Sequence, residues 1–374
     1  MKAAIVTIYG LNNFGNRLQN YAVHSTLTRL GIQAYTLVPK QISKIKSQIN
    51  LYNQVSDAYN SDPVATASSN PLIVREMRFK DFNHSHISEF NLEYDHCTPN
   101  LNELFDYFVT GSDQVWNPMF RSSTGRVGDY LLDFASPEKR VCFSPSIGLD
   151  ELPDKWKPLY TKELNKFRYL SVREESGAAL ITRLTGRVPD VIIDPTLMIP
   201  AAEWETLAEA LPGFDCEKGG YILNCFLGDK DTEISPQTRA LIDSEAGQKG
   251  LSQVSLYDRN DPVLFSAGPA QFIELIKNAA LICTDSFHAT VFSILFHKPF
   301  LVFNRSLTIN GKEVNMSNRI ITLLQMLGLN DKLPDMPVED RDIIWKNDYS
   351  SCHSILAKKQ AASVDFLKKS FKLK

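Results

Sequence analysis

The chain has 374 residues, 43% hydrophobic and 22% charged, with a formal net charge of −3. At roughly 100–200 residues per domain, that length predicts two domains, or one large domain with an extension, with a sizeable buried core. The acidic balance excludes a broad nucleic-acid-binding surface.

The N-terminal apolar run is too short for a signal peptide and is followed at once by Asn12, Asn13, Asn16 and Arg17. It reads as a buried strand over 3–9, followed by a glycine-containing loop. A helix over about 17–30 stops at Gly31, and a strand over 34–38 completes a β-α-β unit, which implies a parallel sheet. Residues 41–100 are polar and read as a helical insertion, with a helix near 75–82 and a mobile Ser/Asn-rich connection at 65–70. Strands follow at 107–110, 140–144 and 170–173, with a helix from Glu174 and a last strand at 191–195 before a crossover. A second set has strands over 221–226, 254–257, 281–284 and 300–303, separated by helical patterns. The fold class is therefore α/β, two Rossmann-like domains facing a cleft. The expected division is 1–185 with the insertion near 41–100, then 186–335, then a helical tail over 336–374.

No C-x-x-C pair occurs among the six cysteines, and several sit in apolar runs such as that ending at Cys283. This is the pattern of buried free thiols in a reducing compartment. No apolar run approaches the ~18 residues of a membrane span. The expected location is the cytoplasm.

Open parallel sheets bind ligands at the carboxyl ends of their strands, so the polar residues stationed there are the candidates. After the first strand come Asn13, Asn16, Arg17, Gln19 and Asn20. Gly10 and Gly15 have P-loop spacing, but Asn16-Arg17 stands where Lys-Ser/Thr belongs, which argues against nucleotide binding of that type. A loop opening a helix still offers N–H groups and a positive dipole end, and carboxamides suit sugar hydroxyls. The plainer alternative is a turn and a helix cap.

The second cluster holds Asp113, Gln114 and Trp116. Asp113 suits proton acceptance from a sugar hydroxyl, and Trp116 suits stacking on a sugar face. The alternative makes Asp113 a helix cap and Trp116 core.

In the third cluster a buried strand ends at Thr284, with Asp285 as the expected N-cap and His288 at the third helical position, beside Ser286. Arg173 ends a strand, and Arg319 opens an amphipathic stretch. Their guanidinium forks suit carboxylate or phosphate, with a surface salt bridge to Glu174 or Glu175 as the alternative for Arg173. His84, His86, His96 and Cys97 lack metal-ligand spacing, so no metal is expected.

The segments Phe14 to Ala22, Gly111 to Asn117, Val172 to Ser176, Asp194 to Leu197 and Thr284 to Ala289 resemble, in this order, the polysaccharide pyruvyl transferases. The resemblance spans roughly residues 1–330. It implies a fold like that of two-domain glycosyltransferases of the GT-B type, phosphoenolpyruvate as donor and a ketal-linked pyruvate as product. The family's donor-binding histidine falls on His288 and its arginine on Arg173, with Ser286 and Arg319 completing the donor set. Asp113 or another cleft carboxylate is then the base, and Asn13, Asn16, Arg17, Gln19, Asn20, Gln114 and Trp116 form the acceptor side. Ala289 departs from the Gly that many relatives have there.

The expected partners are phosphoenolpyruvate and a glycan or lipid-linked oligosaccharide acceptor, with no cofactor. Two other readings stay open: a nucleotide-sugar glycosyltransferase of the same fold, and a non-catalytic carbohydrate-binding protein. The tail alternates basic and apolar residues from Lys368 to Lys374. That pattern fits a peripheral contact with the inner face of an anionic membrane, or a solvated helix end.

Overall fold

The computed structural model describes all residues except 11, 39–45, 93–99, 120–126, 217–219, 228–235, 310, 311, 316 and 334–343. His96 and Cys97 lie outside the described residues. The chain forms two compact units, Met1–Ile45 with Asn83–Ile199 and Leu356–Lys374, and Lys46–Phe82 with Pro200–Ile355.

The first unit is built on β1 (Lys2–Val6), β2 (Gln33–Val38), β3 (Glu89–Asn91), β4 (Tyr107–Thr110) and β5 (Arg140–Cys142). They pair in the order β3-β2-β1-β4-β5, every pair parallel. Ala3, Ala4, Ile5, Phe108 and Val109 are fully buried, as the central strands of a sheet covered on both faces require. A separate parallel pair follows, β6 (Ser171–Val172) with β7 (Asp190–Val191).

The second unit holds β8 (Tyr221–Cys225), β9 (Ser252–Ser255), β10 (Leu281–Thr284) and β11 (Phe300–Val302), all parallel in the order β11-β10-β8-β9. An antiparallel hairpin, β12 (Ser306–Ile309) with β13 (Lys312–Asn315), comes after them. Ile222, Leu281 and Cys283 pack with Ile242, Ala246 and Ile344 in this unit's core. Two Rossmann-like parallel sheets are thus present, as the strand rhythm predicts.

Three sequence expectations need correction. The stretch 65–70, expected as a mobile connection, belongs to a helix, Pro63–Ser69. Asp62 caps it by accepting from the Ala65 N–H at 3.0 Å, and Pro63 occupies the first turn, where its missing N–H costs nothing.

The insertion also divides differently. Its part Lys46–Phe82 belongs to the second unit, not the N-terminal one. Arg75 donates to the Phe265 carbonyl at 3.0 Å, and Arg78 donates to the Ser266 carbonyl and hydroxyl at 3.0 and 2.8 Å. Buried guanidinium groups on backbone carbonyls hold these segments together far more firmly than surface contacts do.

The tail, expected as a separate appendage, joins the first unit from Leu356 onward. Phe366, Leu367 and Phe371 are buried, and Phe371 meets Tyr107 edge to face at 5.0 Å. The apolar face expected to touch a membrane is therefore the face that packs on the protein. Among the described residues no helix is long and apolar enough to cross a membrane.

Two outcomes test this packing. A Cβ at Gly268 would stand 2.5 Å from the Cβ of Arg78, so Gly268→Ala should destabilise the protein by about 1–3 kcal/mol in chemical denaturation. Burial pushes the Lys332 amine down to about 8 from its ordinary 10.5. Between those values the unfolded chain holds the proton that the folded protein releases, so this residue makes stability rise from pH 8 to 10.5. Lys332→Met should lose that rise relative to wild type in melting curves across the range.

Candidate active site

The first unit gathers its polar residues at the carboxyl edge of its sheet. Asn13 caps the helix Phe14–Arg29, its side chain accepting from the Asn16 N–H at 3.1 Å. The helix therefore begins three residues earlier than its apolar pattern predicts, which places Asn16 in the first turn. The Asn16 carboxamide donates to Asp113 Oδ2. Arg173 Nη2 lies 3.4 Å from Asp113 Oδ1, and its Nη1 lies 2.5 Å from Asp194 Oδ2. Glu174 Oε2 stands 4.0 Å from Arg173 Nε. One guanidinium thus faces three carboxylates in buried residues, of which Asp113 has the most accessible side chain, at 11%.

Burial acts to pull the Arg173 guanidinium down, and the charges of Asp194, Asp113 and Glu174 reverse that, holding it above its ordinary value. The group stays charged, and its charge is already met within this unit. The surface salt bridge considered for Arg173 is thus replaced by a buried network.

Asp113 has φ 63° and ψ −166°, a conformation that only glycine adopts without strain. It is held there by its neighbours. Ser146 N–H donates to the Asp113 carbonyl at 2.8 Å, and Asp113 forms a parallel bridge with Pro145. Glu174 Oε1 fixes that neighbouring loop by accepting from Ser146 Oγ, Ile147 N and Gly148 N at 3.0, 2.9 and 3.2 Å. Asp113 makes no helix-capping bond.

Several expected acceptor contacts belong to the framework instead. Trp116 is fully buried, donates its indole N–H to the Tyr130 carbonyl at 2.9 Å and meets Phe167 edge to face at 5.9 Å. Arg17 is fully buried over the Tyr9 ring at 4.4 Å, with Nη2 donating to the Ile8 carbonyl at 2.7 Å. Burial brings its guanidinium down to about 10. Gln19 donates to Thr7 Oγ1 at 2.7 Å, and Asn20 accepts from Thr36 Oγ1 at 2.9 Å, both from fully buried positions. Gln114 accepts from Asn117 at 2.9 Å. Of the seven expected acceptor residues, Asn16 is the one bonded to the Asp113 carboxylate among the described contacts.

The second unit carries the other candidates. Its helix Phe287–Leu295 is capped by Ser286, whose side chain accepts from Ala289 N at 3.4 Å. Asp285, the expected cap, accepts from Leu227 N at 2.7 Å instead. His288 is consequently the second helical residue, buried, with its ring edge-on to Phe287 at 5.2 Å. The helix Asn318–Met326 packs against this one and carries Arg319 in its first turn, nearly buried. His288, Ser286 and Arg319 all belong to the second unit, while Arg173 belongs to the first.

Sequence reasoning missed the part played by Asp194 and Glu174. Asp194-Pro195-Thr196 has the form of a capped turn, and only the fold shows that its carboxylate also meets Arg173.

The strain at Asp113 gives a direct test. Asp113→Gly should be more stable than Asp113→Ala by about 1–3 kcal/mol, because glycine relaxes the backbone and both lose the same carboxylate. Equal denaturation midpoints for the two variants would refute the strained conformation.

The sequence pattern of the family described as polysaccharide pyruvyl transferase matches residues 13–306. A search of the curated proteins found no match. Among solved structures, S. aureus MnaA with UDP is similar at 12% identity and a TM-score of 0.49, over 100% of this chain and 98% of that one. A glycosyltransferase from Rickettsia africae ESF-5 is similar at 11% identity and a TM-score of 0.49, over 99% of each chain. The UDP-GlcNAc 2-epimerase of Neisseria meningitidis, bound to UDP-GlcNAc, is similar at 12% identity and a TM-score of 0.40, over 96% of this chain and 100% of that one.

Proposed function

Because the chain belongs to the polysaccharide pyruvyl transferase family, we propose that it moves the pyruvyl group of phosphoenolpyruvate onto two hydroxyls of a glycan sugar, forming a ketal. The observation that carries the site assignment is the Asp113 carboxylate, fixed by Asn16 and Arg173 in a backbone conformation that residues other than glycine seldom adopt.

The reaction needs two unlike environments. The donor carries a phosphate and a carboxylate, which call for a helix N-terminus and cationic side chains. Ser286, His288 and Arg319 in the second unit have that character. The acceptor is a pair of neutral hydroxyls, which call for a carboxylate held ready to take a proton. Asp113 has that character.

A proton delivered to the methylene carbon of phosphoenolpyruvate makes it a methyl group and leaves the adjacent carbon electron-poor. One sugar hydroxyl attacks that carbon and gives its proton to Asp113. The second hydroxyl attacks the same carbon, the C–O bond to phosphate breaks, and inorganic phosphate leaves with the remaining proton. His288 is the donor-side group, binding phosphate or supplying the first proton.

Phosphoenolpyruvate should raise the melting temperature, and UDP-sugars should not. His288→Ala should stay folded and lose about 30-fold or more in kcat/KM for phosphoenolpyruvate, the expected result of removing a desolvated partner of a small anion. A shift with a UDP-sugar and none with phosphoenolpyruvate would replace this reading with glycosyl transfer.

A further inference from the structure

Asp194 has both carboxylate oxygens engaged. Oδ1 accepts from Thr196 N and Thr196 Oγ1 at 2.9 and 2.6 Å, and Oδ2 meets Arg173 Nη1 at 2.5 Å and Ser112 Oγ at 3.1 Å. At 1% exposure it touches no substrate. Its position is set by the turn that follows. Pro195 has no N–H to offer, so the first free donor is that of Thr196, which fixes Oδ1 and turns Oδ2 inward.

What Oδ2 holds is the point of interest. Ser112 immediately precedes Asp113 in the chain, and its hydroxyl also lies 2.9 Å from the Ser144 carbonyl. Arg173 reaches the Asp113 carboxylate with its other nitrogen. Asp194 is thereby connected to Asp113 twice, through the backbone of the preceding residue and through a planar guanidinium that spans two carboxylates. Lysine has no such fork and cannot make both contacts in one geometry.

We infer that Asp194 is a positioning residue for the transfer: it fixes Arg173, and Arg173 with Ser112 fixes Asp113 as the group that takes the acceptor proton. This rests on the pyruvyl transfer reading. It also gives Arg173 a different task from contact with the donor. With Asp194 and Asp113 on its two terminal nitrogens, it orients a carboxylate.

The test is steady-state kinetics of wild type, Asp194→Asn and Arg173→Lys, with phosphoenolpyruvate and acceptor varied separately, alongside melting curves. Asp194→Asn keeps the acceptor for Thr196 and loses the ionic partner of Arg173. It should stay folded and lose about 100-fold in kcat, the scale of a misplaced catalytic group, with the KM for phosphoenolpyruvate within about 3-fold of wild type. Arg173→Lys should show the same split, and decides the matter if Asp194→Asn does not fold. Near-normal kcat in a folded variant, or a loss confined to the KM for phosphoenolpyruvate, would overturn the inference while leaving pyruvyl transfer standing. Absence of pyruvyl transfer by wild type would reject that reading and the inference with it.

Discussion

The first unit depends on the burial of one guanidinium. Taking Arg173 out of water costs several kcal/mol unless carboxylates meet it, and removing one partner of such a group typically costs about 3–5 kcal/mol. Asp194 and Asp113 meet it from separate parts of the chain, and Glu174 from the next residue. Asn16 closes the arrangement from the first helix. Four segments that share no local structure are thus held to one geometry. That is the condition under which a strained residue such as Asp113 persists, since no single contact can relax it without losing others.

The same arrangement bears on the proposed pyruvyl transfer. A site whose arginine faces three carboxylates is a poor receptor for a dianion, because any approaching phosphate meets the uncompensated acids as well. It is a good receptor for a hydroxyl. The helix end that carries Ser286 and His288 has the opposite character: a positive dipole end with no carboxylate in its first turn. Asp285 lies just outside that helix, with one oxygen bonded to the Leu227 N–H. On the proposed reading, donor and acceptor chemistry therefore belong to different sheets.

Much of the fold is legible in the sequence because its signals are local. Short apolar runs mark the strands, Gly31 marks the end of the first helix, and the Thr284 to Ala289 segment announces a strand followed by a helix start. The site is less legible because its contacts are not local. Asn16 and Asp113 are 97 residues apart, and Asp113 and Arg173 are 60 apart. Local chemistry also misleads where two residues compete for one role. Asp285 and Ser286 are both good caps, and the Leu227 N–H decides between them. Trp116 reads equally as platform or core until the Tyr130 carbonyl is found against its indole N–H. The docking of the Lys46–Phe82 segment could not be read at all, since it rests on the carbonyls of Phe265 and Ser266, which any sequence possesses.

Arg17 and Arg173 are two buried cations stabilised in different ways. Both are buried, Arg17 beyond β1 of the five-stranded sheet and Arg173 directly after β6 of the separate pair. Arg17 is stabilised by an aromatic face and one carbonyl, so burial dominates and its guanidinium falls to about 10. Its partners are fixed parts of the backbone and core, and moving it would change only packing. Arg173 is stabilised by carboxylates, so charge dominates and it rises. One of those carboxylates sits on a strained backbone. A change in Arg173 bears on Asp113, because the carboxylate it pairs with belongs to the residue whose backbone is strained. The site is identified by which buried charge holds another reactive group in place. Exposure alone would have passed over both arginines.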